Sequence, residues 1–562
     1  MKARLALLAA ATCLAVCQAA PVQVRKVTVS TDDRESSGAL SFPPGVRMLC
    51  HADVSGGAEP LSLRWELRQG TAVVENAILS AHGTEAAFRL PSEEGQYQLA
   101  VTAQSGPQAD TLRLPVTVKR QSYPTVPFVG GSKTPGATLQ RTMALLATST
   151  PDHRNPVRIL FYGQSLTKQD WVRSVANNLR ERFPDADLTI ANRSIGGYSS
   201  PFLIRTLPHD VYVFYPDLVV FHDYGDENLY EQIIAAIRSH TTAEILLQSD
   251  RASPPPVSGP GSAGWHERHS LEWLPTLAQR FGLEWADLWR PWSAYLEQNH
   301  LQPADVLRDG AHYTLQGDDM VAQITNRYLV YLPGIASGSR KMVRSYEIGR
   351  DLEWRNGRLK LQFEGNRIDA IGGWDNPFHG GEAEVWIDGK RPSQLPELYS
   401  LTLPTDTFAV DWPAINRVSF AKPLIVEDWT LRVTESSEGD ARVRFEVIGS
   451  RTGPDGQGIS TEPFVSKSGR VVIQPEDWAM KRAFDLKHVP TPPGFEIHWK
   501  VDAQFLDTYR EERVGDPSQE ISHTLASGLP NGAHTLELLA KGVFPPVLRA
   551  LRVYEPPYKP TK

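Results

Sequence analysis

The sequence predicts a multi-domain protein: a central α/β/α domain built on a parallel sheet, with β-sandwich regions before and after it. Three observations lead there. Between about residues 157 and 331, strand-like apolar runs alternate with helical stretches, the pattern of a parallel sheet covered by helices. Before about residue 120 and after about 336, short runs alternate apolar and polar residues with turn residues between them. The 562 residues suffice for two to four domains, and 43 prolines with 42 glycines favour short strands joined by turns.

Residues 1–20 read as a targeting signal. Lys2 and Arg4 give a positive start, Leu5 to Val16 an apolar stretch too short to span a bilayer, and Cys17-Gln18-Ala19 a small-residue cleavage site. The predicted cut falls after Ala19, because a cut after Ala20 would leave Pro21 just past the scissile bond. In the alternative, a lipoprotein signal ending at Cys17, Val16 stands where a small residue is expected. Nothing later is long and apolar enough for a membrane helix, so the sequence predicts a chain exported to the periplasm or secreted, without a membrane span. Cys13 and Cys17 lie in the signal, which leaves Cys50 alone and excludes an intramolecular disulfide in the mature chain. Export without disulfides suits a large bacterial periplasmic enzyme. The net charge is −7, or about −9 once Lys2 and Arg4 are removed, which argues against nucleic acid or polyanions as partners. Oligomeric state is not legible.

Residues 21–120 alternate as a β-sandwich does, with runs such as Val46-Arg-Met-Leu-Cys50, Ser62-Leu-Arg-Trp65 and Tyr97-Gln-Leu-Ala-Val. Trp65 in mid-strand and Gly95-Gln-Tyr97 opening a late strand resemble the immunoglobulin-like arrangement, minus its disulfide. Trp65 reads as core rather than as a ligand platform. Residues 121–150 read as a linker, Gly130-Gly-Ser-Lys-Thr-Pro-Gly136, followed by a short amphipathic helix over 138–148. The α/β domain, 151–335, is predicted with strands at 157–162, 187–191, 217–221, 243–248 and 283–287. Its helices are predicted at 168–183, 201–206, 227–240, 267–281 and 316–331. Chemistry in such sheets sits beyond the carboxyl ends of the strands, where Ser165, Gly197, Asp223 and the loop around Arg251 fall.

Arg158-Ile-Leu-Phe-Tyr-Gly163-Gln-Ser165 puts a serine one turn past an apolar strand, and Asp309-Gly-Ala-His312 follows about 140 residues later. A serine hydroxyl is a poor nucleophile until a base takes its proton, and that base needs an acceptor on its other ring nitrogen. The three residues therefore read as an acyl-transfer triad. With Asn192-Arg-Ser-Ile-Gly-Gly197-Tyr between them, these blocks resemble the SGNH (GDSL) hydrolase superfamily over about residues 155–335. The resemblance implies Ser165 as nucleophile, His312 as general base and then acid, and Asp309 as the group orienting His312. It also implies an oxyanion hole from the backbone N–H groups of Ser165 and Gly197. The third block departs from the family: where Gly-x-Asn-Asp should follow Leu218-Val-Val-Phe221, this chain has His222-Asp-Tyr-Gly225-Asp-Glu-Asn228. Tyr224 and Asn228 are the candidates to replace the missing donor. His222, Asp223 and Asp226 can be read as metal ligands or as solvated and hydrogen-bonded loop residues; the second reading predicts no metal and no cofactor.

The loop from Asp250 to Gly264 hangs over the same sheet edge, and Trp265 behind it is either a sugar-stacking wall of the cleft or an anchor of the loop. Beyond 336 the chain reads as β and nearly helix-free. Leu359-Lys-Leu-Gln-Phe, Ala383-Glu-Val-Trp-Ile and Gly532-Ala-His-Thr-Leu resemble hairpins and a closing strand of carbohydrate-binding jelly rolls. This predicts a jelly-roll-like domain over 336–400 and 521–556 with a β subdomain inserted over 401–520. Trp374, Trp412, Trp429, Trp478 and Trp499 are either sugar platforms or core. The layout resembles multi-domain carbohydrate acetylesterases, and implies an exported serine esterase deacetylating a plant cell-wall polysaccharide such as xyloglucan. The alternatives are a lipase or thioesterase, which should show a wide apolar cleft, and a polysaccharide-binding protein whose altered third block marks lost activity.

Overall fold

The computed structural model describes residues 20–31, 40–42, 44–57, 60–91, 93–119, 122–252, 263–335, 341–372, 378, 380–405, 412–513, 515–516 and 518–559. The targeting signal with its cleavage site, most of the loop after Asp250, and Trp374 lie outside these residues. The chain divides into two compact units between Pro124 and Thr125.

The first unit has a four-stranded sheet, in the order Gln23–Thr31, Arg47–Ser55, Glu85–Arg89, Ile78–His82. Its second sheet has five strands, in the order Leu40–Phe42, Gln108–Val118, Gly95–Ser105, Leu61–Gln69, Ala72–Val73. Trp65 from the second sheet lies edge-on to Phe88 from the first, 6.4 Å between ring centres, and its indole N–H donates to the Gly83 carbonyl at 3.2 Å. That places it in the core, as its mid-strand position suggests. Cys50 is buried and unpaired.

In the second unit, strands Pro156–Gly163 (β1), Asp187–Asn192 (β2), Leu218–His222 (β3), Glu244–Gln248 (β4) and Glu284–Ala286 (β5) form one sheet in the order β2-β1-β3-β4-β5. All four pairings are parallel. Alternate side chains of β1 serve opposite layers. Val157, Ile159 and Phe161 join a core with Trp171, Trp292 and Met320. Leu160 and Tyr162 join another with Ile233, Ile237 and Leu277. Helices Trp171–Arg182 and Leu315–Asn326 cover the first face, and Ser200–Leu207, Glu227–His240 and Leu274–Phe281 the second. Burial on both faces explains why β3 and β4 carry unbroken apolar runs, Leu218–Phe221 and Ile245–Leu247, instead of alternating.

Several elements differ from the sequence reading, among them the short helix Pro303–Val306, which it lacked. Gly130–Gly136, linker-like in composition, packs on the α/β domain: the Gly131 N–H donates to Asp287 Oδ2 at 3.1 Å, and Gln140 Nε2 joins the Gly136 and Val330 carbonyls. An additional helix, Trp289–Gln298, tolerates Pro291 because it falls in the first turn, where the N–H has no helical partner to lose. The C-terminal region holds the helix Met480–Lys487.

That region has a six-stranded sheet, in the order Val343–Glu347, Ala550–Tyr554, Arg358–Gly372, Ile521–Ala540, Glu382–Ile387, Thr508–Arg510. The chain leaves this sheet after Ile387 and builds a five-stranded one, in the order Tyr399–Leu401, Glu496–Ala503, Asp428–Ser436, Val443–Gly449, Gly453–Ile459. It then returns at Thr508. Trp412, Trp429 and Trp499 are buried and Trp478 packs against the core of the second sheet, so these four indoles are not sugar platforms. No helix among the described residues is long and apolar enough to cross a membrane.

Candidate active site

β1 lies between β2 and β3, so the strand order reverses at it, and in open parallel sheets ligands bind beyond the carboxyl ends of the strands at such a point. Ser165 stands there. Gly163 permits the approach, since a Cβ on it would lie 2.1 Å from the His222 carbonyl oxygen. Gln164 is buried and Ser165 begins the single 3-10 turn Ser165–Lys168.

Behind the serine runs a buried chain of hydrogen bonds. Gln164 Oε1 accepts from Ser165 Oγ at 3.0 Å and from the Leu166 N–H at 3.1 Å. Gln164 Nε2 lies 2.8 Å from His222 Nδ1, His222 Nε2 lies 2.9 Å from Asp250 Oδ1, and Asp250 Oδ2 lies 2.8 Å from His266 Nδ1. An amide NH2 can only donate, so Nδ1 of His222 accepts and its proton sits on Nε2, facing Asp250. Burial pushes the Asp250 carboxyl up, but hydrogen bonds from His222 and His266 hold it well below the usual carboxylate range. Both nitrogens of His222 are thus engaged. No group of three His, Cys, Asp or Glu side chains able to hold a metal occurs among the described residues. Asp226 caps the helix Glu227–His240, accepting the Leu229 N–H at 2.9 Å.

On the facing loop, Asp309 Oδ2 lies 2.7 Å from His312 Nδ1, while Oδ1 accepts the N–H of His312 at 2.7 Å and of Ala311 at 3.0 Å. Slight burial raises the Asp309 carboxyl, but these bonds outweigh it and hold it at about 2. An ionised Asp309 keeps the imidazole proton on Nδ1 and leaves Nε2 as the basic atom. Arg251 grips the loop through the Gly310 and Ala311 carbonyls, at 3.2 and 2.7 Å. Gln169, just past the serine turn, accepts the Tyr313 N–H at 2.8 Å and so ties the two segments together. Among the described residues, Ser165 Oγ is hydrogen-bonded to Gln164 and not to His312.

The second block forms the opposite wall. A Cβ on Gly196 would lie 3.8 Å from the Ser165 Cβ. The Gly196 carbonyl accepts from Trp412 Nε1 at 2.6 Å, the Gly197 carbonyl from Arg482 at 2.7 Å, and Tyr198 donates to Asn416 at 2.5 Å. In a trans peptide the N–H opposes the C=O, so the bond from Trp412 turns the Gly197 N–H away from that indole. Residues of the C-terminal β region therefore fix a loop of the α/β domain.

In the third block, Asp223 is buried against Ser200 Oγ at 2.5 Å, and burial, opposed by that bond and by backbone N–H groups, pushes its carboxyl up to about 8. Tyr224 and Asn228 are exposed and their side chains make no hydrogen bond among the described residues. Trp265 stacks on His269 at 4.6 Å, which stacks on Trp273 at 4.8 Å, so it anchors its helix to the domain. Gln164 sits inside the serine block beside Ser165, but its bond to His222, like the bonds of Asp250, His266, Gln169, Trp412 and Arg482, joins residues far apart in the chain and left no readable signal.

By its fold and its sequence blocks the chain resembles the SGNH (GDSL) hydrolases. No family model matches the chain, and no curated protein matches it. Among solved structures it is similar to a two-domain esterase active on acetylated mannans: 14% identity, 76% of this chain and 96% of that chain covered, TM-score 0.28. It is also similar to an acetyl xylan esterase, at 18% identity over 30% of this chain and 98% of that one, TM-score 0.27. A GDSL-like lipase from Parabacteroides merdae shares 17% identity over 32% of this chain and 98% of its own, TM-score 0.27.

Proposed function

We propose that the chain is an exported serine esterase that removes O-acetyl groups from a plant cell-wall polysaccharide, a hemicellulose such as xyloglucan. The observation that carries the reading is the Asp309–His312 pair, 2.7 Å apart and bonded in the tautomer a general base needs, on a loop tied through Gln169 to the serine turn. In this scheme His312 Nε2 takes the Ser165 proton as Oγ bonds to the acetyl carbon. The N–H groups of Ser165 and Gly197 hold the resulting oxyanion. His312 then protonates the sugar oxygen, which leaves as the alcohol. Water repeats the sequence on the acyl-enzyme, releasing acetate and restoring Ser165.

A second reading, a polysaccharide-binding protein without turnover, is favoured by the bond from Ser165 to Gln164 and by the missing asparagine of the third block. Release of p-nitrophenol from acetate and butyrate esters separates the readings. The proposal expects preference for acetate and, in folded Ser165→Ala, a loss of several orders of magnitude; no release by the parent protein supports the binding reading, and preference for butyrate a lipase. Mass spectrometry of acetylated xyloglucan fragments tests the substrate.

A further inference from the structure

At the far end of the α/β domain from Ser165, a cavity of about 590 Å³ lies between the amino-terminal edge of β1 and the six-stranded C-terminal sheet. The eight residues of β1 separate the two places, about 25 Å of strand. Four guanidinium groups line the cavity, from Arg141, Arg158, Arg367 and Arg552, against three carboxylates, Asp217, Asp369 and Glu520. Every carboxylate is taken. Asp217 accepts Arg141 at 3.0 Å and the Arg158 backbone N–H at 2.9 Å; Asp369 accepts Arg367 at 2.9 and 2.8 Å. Glu520 accepts Arg552 at 2.5 and 2.9 Å, and Arg549 at 2.5 Å. Arg158 alone of the four has no ion pair or side-chain hydrogen bond among the described residues. Its guanidinium rests on the Phe214 ring, 4.6 Å from the centroid, an interaction that occupies its face and leaves the N–H edge unused. Burial first, then the neighbouring Arg367, disfavours its charge.

We propose that this cavity binds a carboxylate-bearing sugar, a uronate, with Arg158 taking the carboxylate through its planar fork. The four lining guanidiniums outnumber the three lining carboxylates, and Arg549 shares Glu520, a local positive balance that favours a small anion, whereas the chain as a whole is acidic and offers nothing to a polyanion. A guanidinium edge fits a carboxylate through two parallel hydrogen bonds. Asn155, Ser345 and Ser522 add amide and hydroxyl groups suited to sugar hydroxyls. The volume is in the range of small-molecule sites, about 300–1,000 Å³, and far larger than a lone carboxylate fills. The site goes beyond the proposed hydrolysis and does not depend on it.

The test is isothermal titration calorimetry of the full chain with glucuronate, glucose, acetate and sulfate. The expected result is glucuronate binding at least tenfold tighter than any of the other three, a loss of at least tenfold in Arg158→Gln, and unchanged turnover of p-nitrophenyl acetate in that variant. Equal binding of glucuronate and glucose, equal binding of glucuronate and sulfate or acetate, or unaltered affinity in Arg158→Gln would overturn it. If Arg158→Gln does not fold, Arg158→Lys keeps a cation on Phe214 but loses the fork; several-fold weaker glucuronate binding is then expected, and parent-like affinity overturns the proposal.

Discussion

Arg482→Met removes the guanidinium that donates to the Gly197 carbonyl at 2.7 Å and lies over the Phe202 and Trp412 rings, 4.3 and 5.4 Å from their centroids, and puts an apolar side chain in its place. A hydrogen bond from a charged donor contributes about 1.5–3 kcal/mol when shielded, and this one is partly open to solvent, so about 1–2 kcal/mol is the better figure. If the Gly197 N–H is an oxyanion donor, that loss falls on the transition state, because the oxyanion exists only there. The expected outcome is a drop in kcat of about 5- to 30-fold with KM nearly unchanged. Stopped-rate assays on p-nitrophenyl acetate measure both constants, with a thermal melt to show that the variant is folded. Arg482→Lys, which keeps a donor, should recover part of the loss. A folded Arg482→Met protein with parental kcat would refute the reasoning, and so would a change confined to KM.

Asp223 has a folded value of about 8 against an ordinary value near 3.8, so the folded state holds a proton that the unfolded state releases. Stability from this group is fully present below about pH 4 and is lost as pH rises through about 8, a total on the order of several kcal/mol. Asp223→Asn cannot ionise, and its melting temperature relative to the parent should rise from pH 5 to pH 9; a constant difference would exclude the buried acid. Asp250→Leu strands the imidazoles of His222 and His266 without their acceptor, and urea unfolding should show a loss of about 3–5 kcal/mol, with a loss below 1 kcal/mol counting against the buried chain. Tyr224→Phe and Asn228→Ala, both at exposed side chains, should each change kcat less than about threefold; a loss near 10²-fold in either would identify a third oxyanion donor.

β1, β3 and β4 were legible because each carries a continuous apolar run, Ile159–Tyr162, Leu218–Phe221 and Ile245–Leu247, that burial on both faces explains. The Ser165 and His312 blocks were legible because they are local and ordered. Asp309 is three residues from His312, so their bond follows from one turn of chain. The linker reading of Gly130–Gly136 failed because composition records what a segment can adopt, whereas Asp287 and Tyr328, far along the chain, decide what it packs against. Gln164, His222, Asp250 and His266 span about a hundred residues, and their roles arise only because β1, β3 and β4 end side by side. Trp412 offered two readings from its type alone; its burial bears out the core reading, and the fold adds what its type could not show, that its N–H is spent on Gly196, more than two hundred residues upstream. Local periodicity writes strands, turns and motifs into the sequence, because their energetics are set by near neighbours. Hydrogen bonds between distant segments leave no such pattern, so which carbonyl a buried donor meets was decided by the tertiary fold.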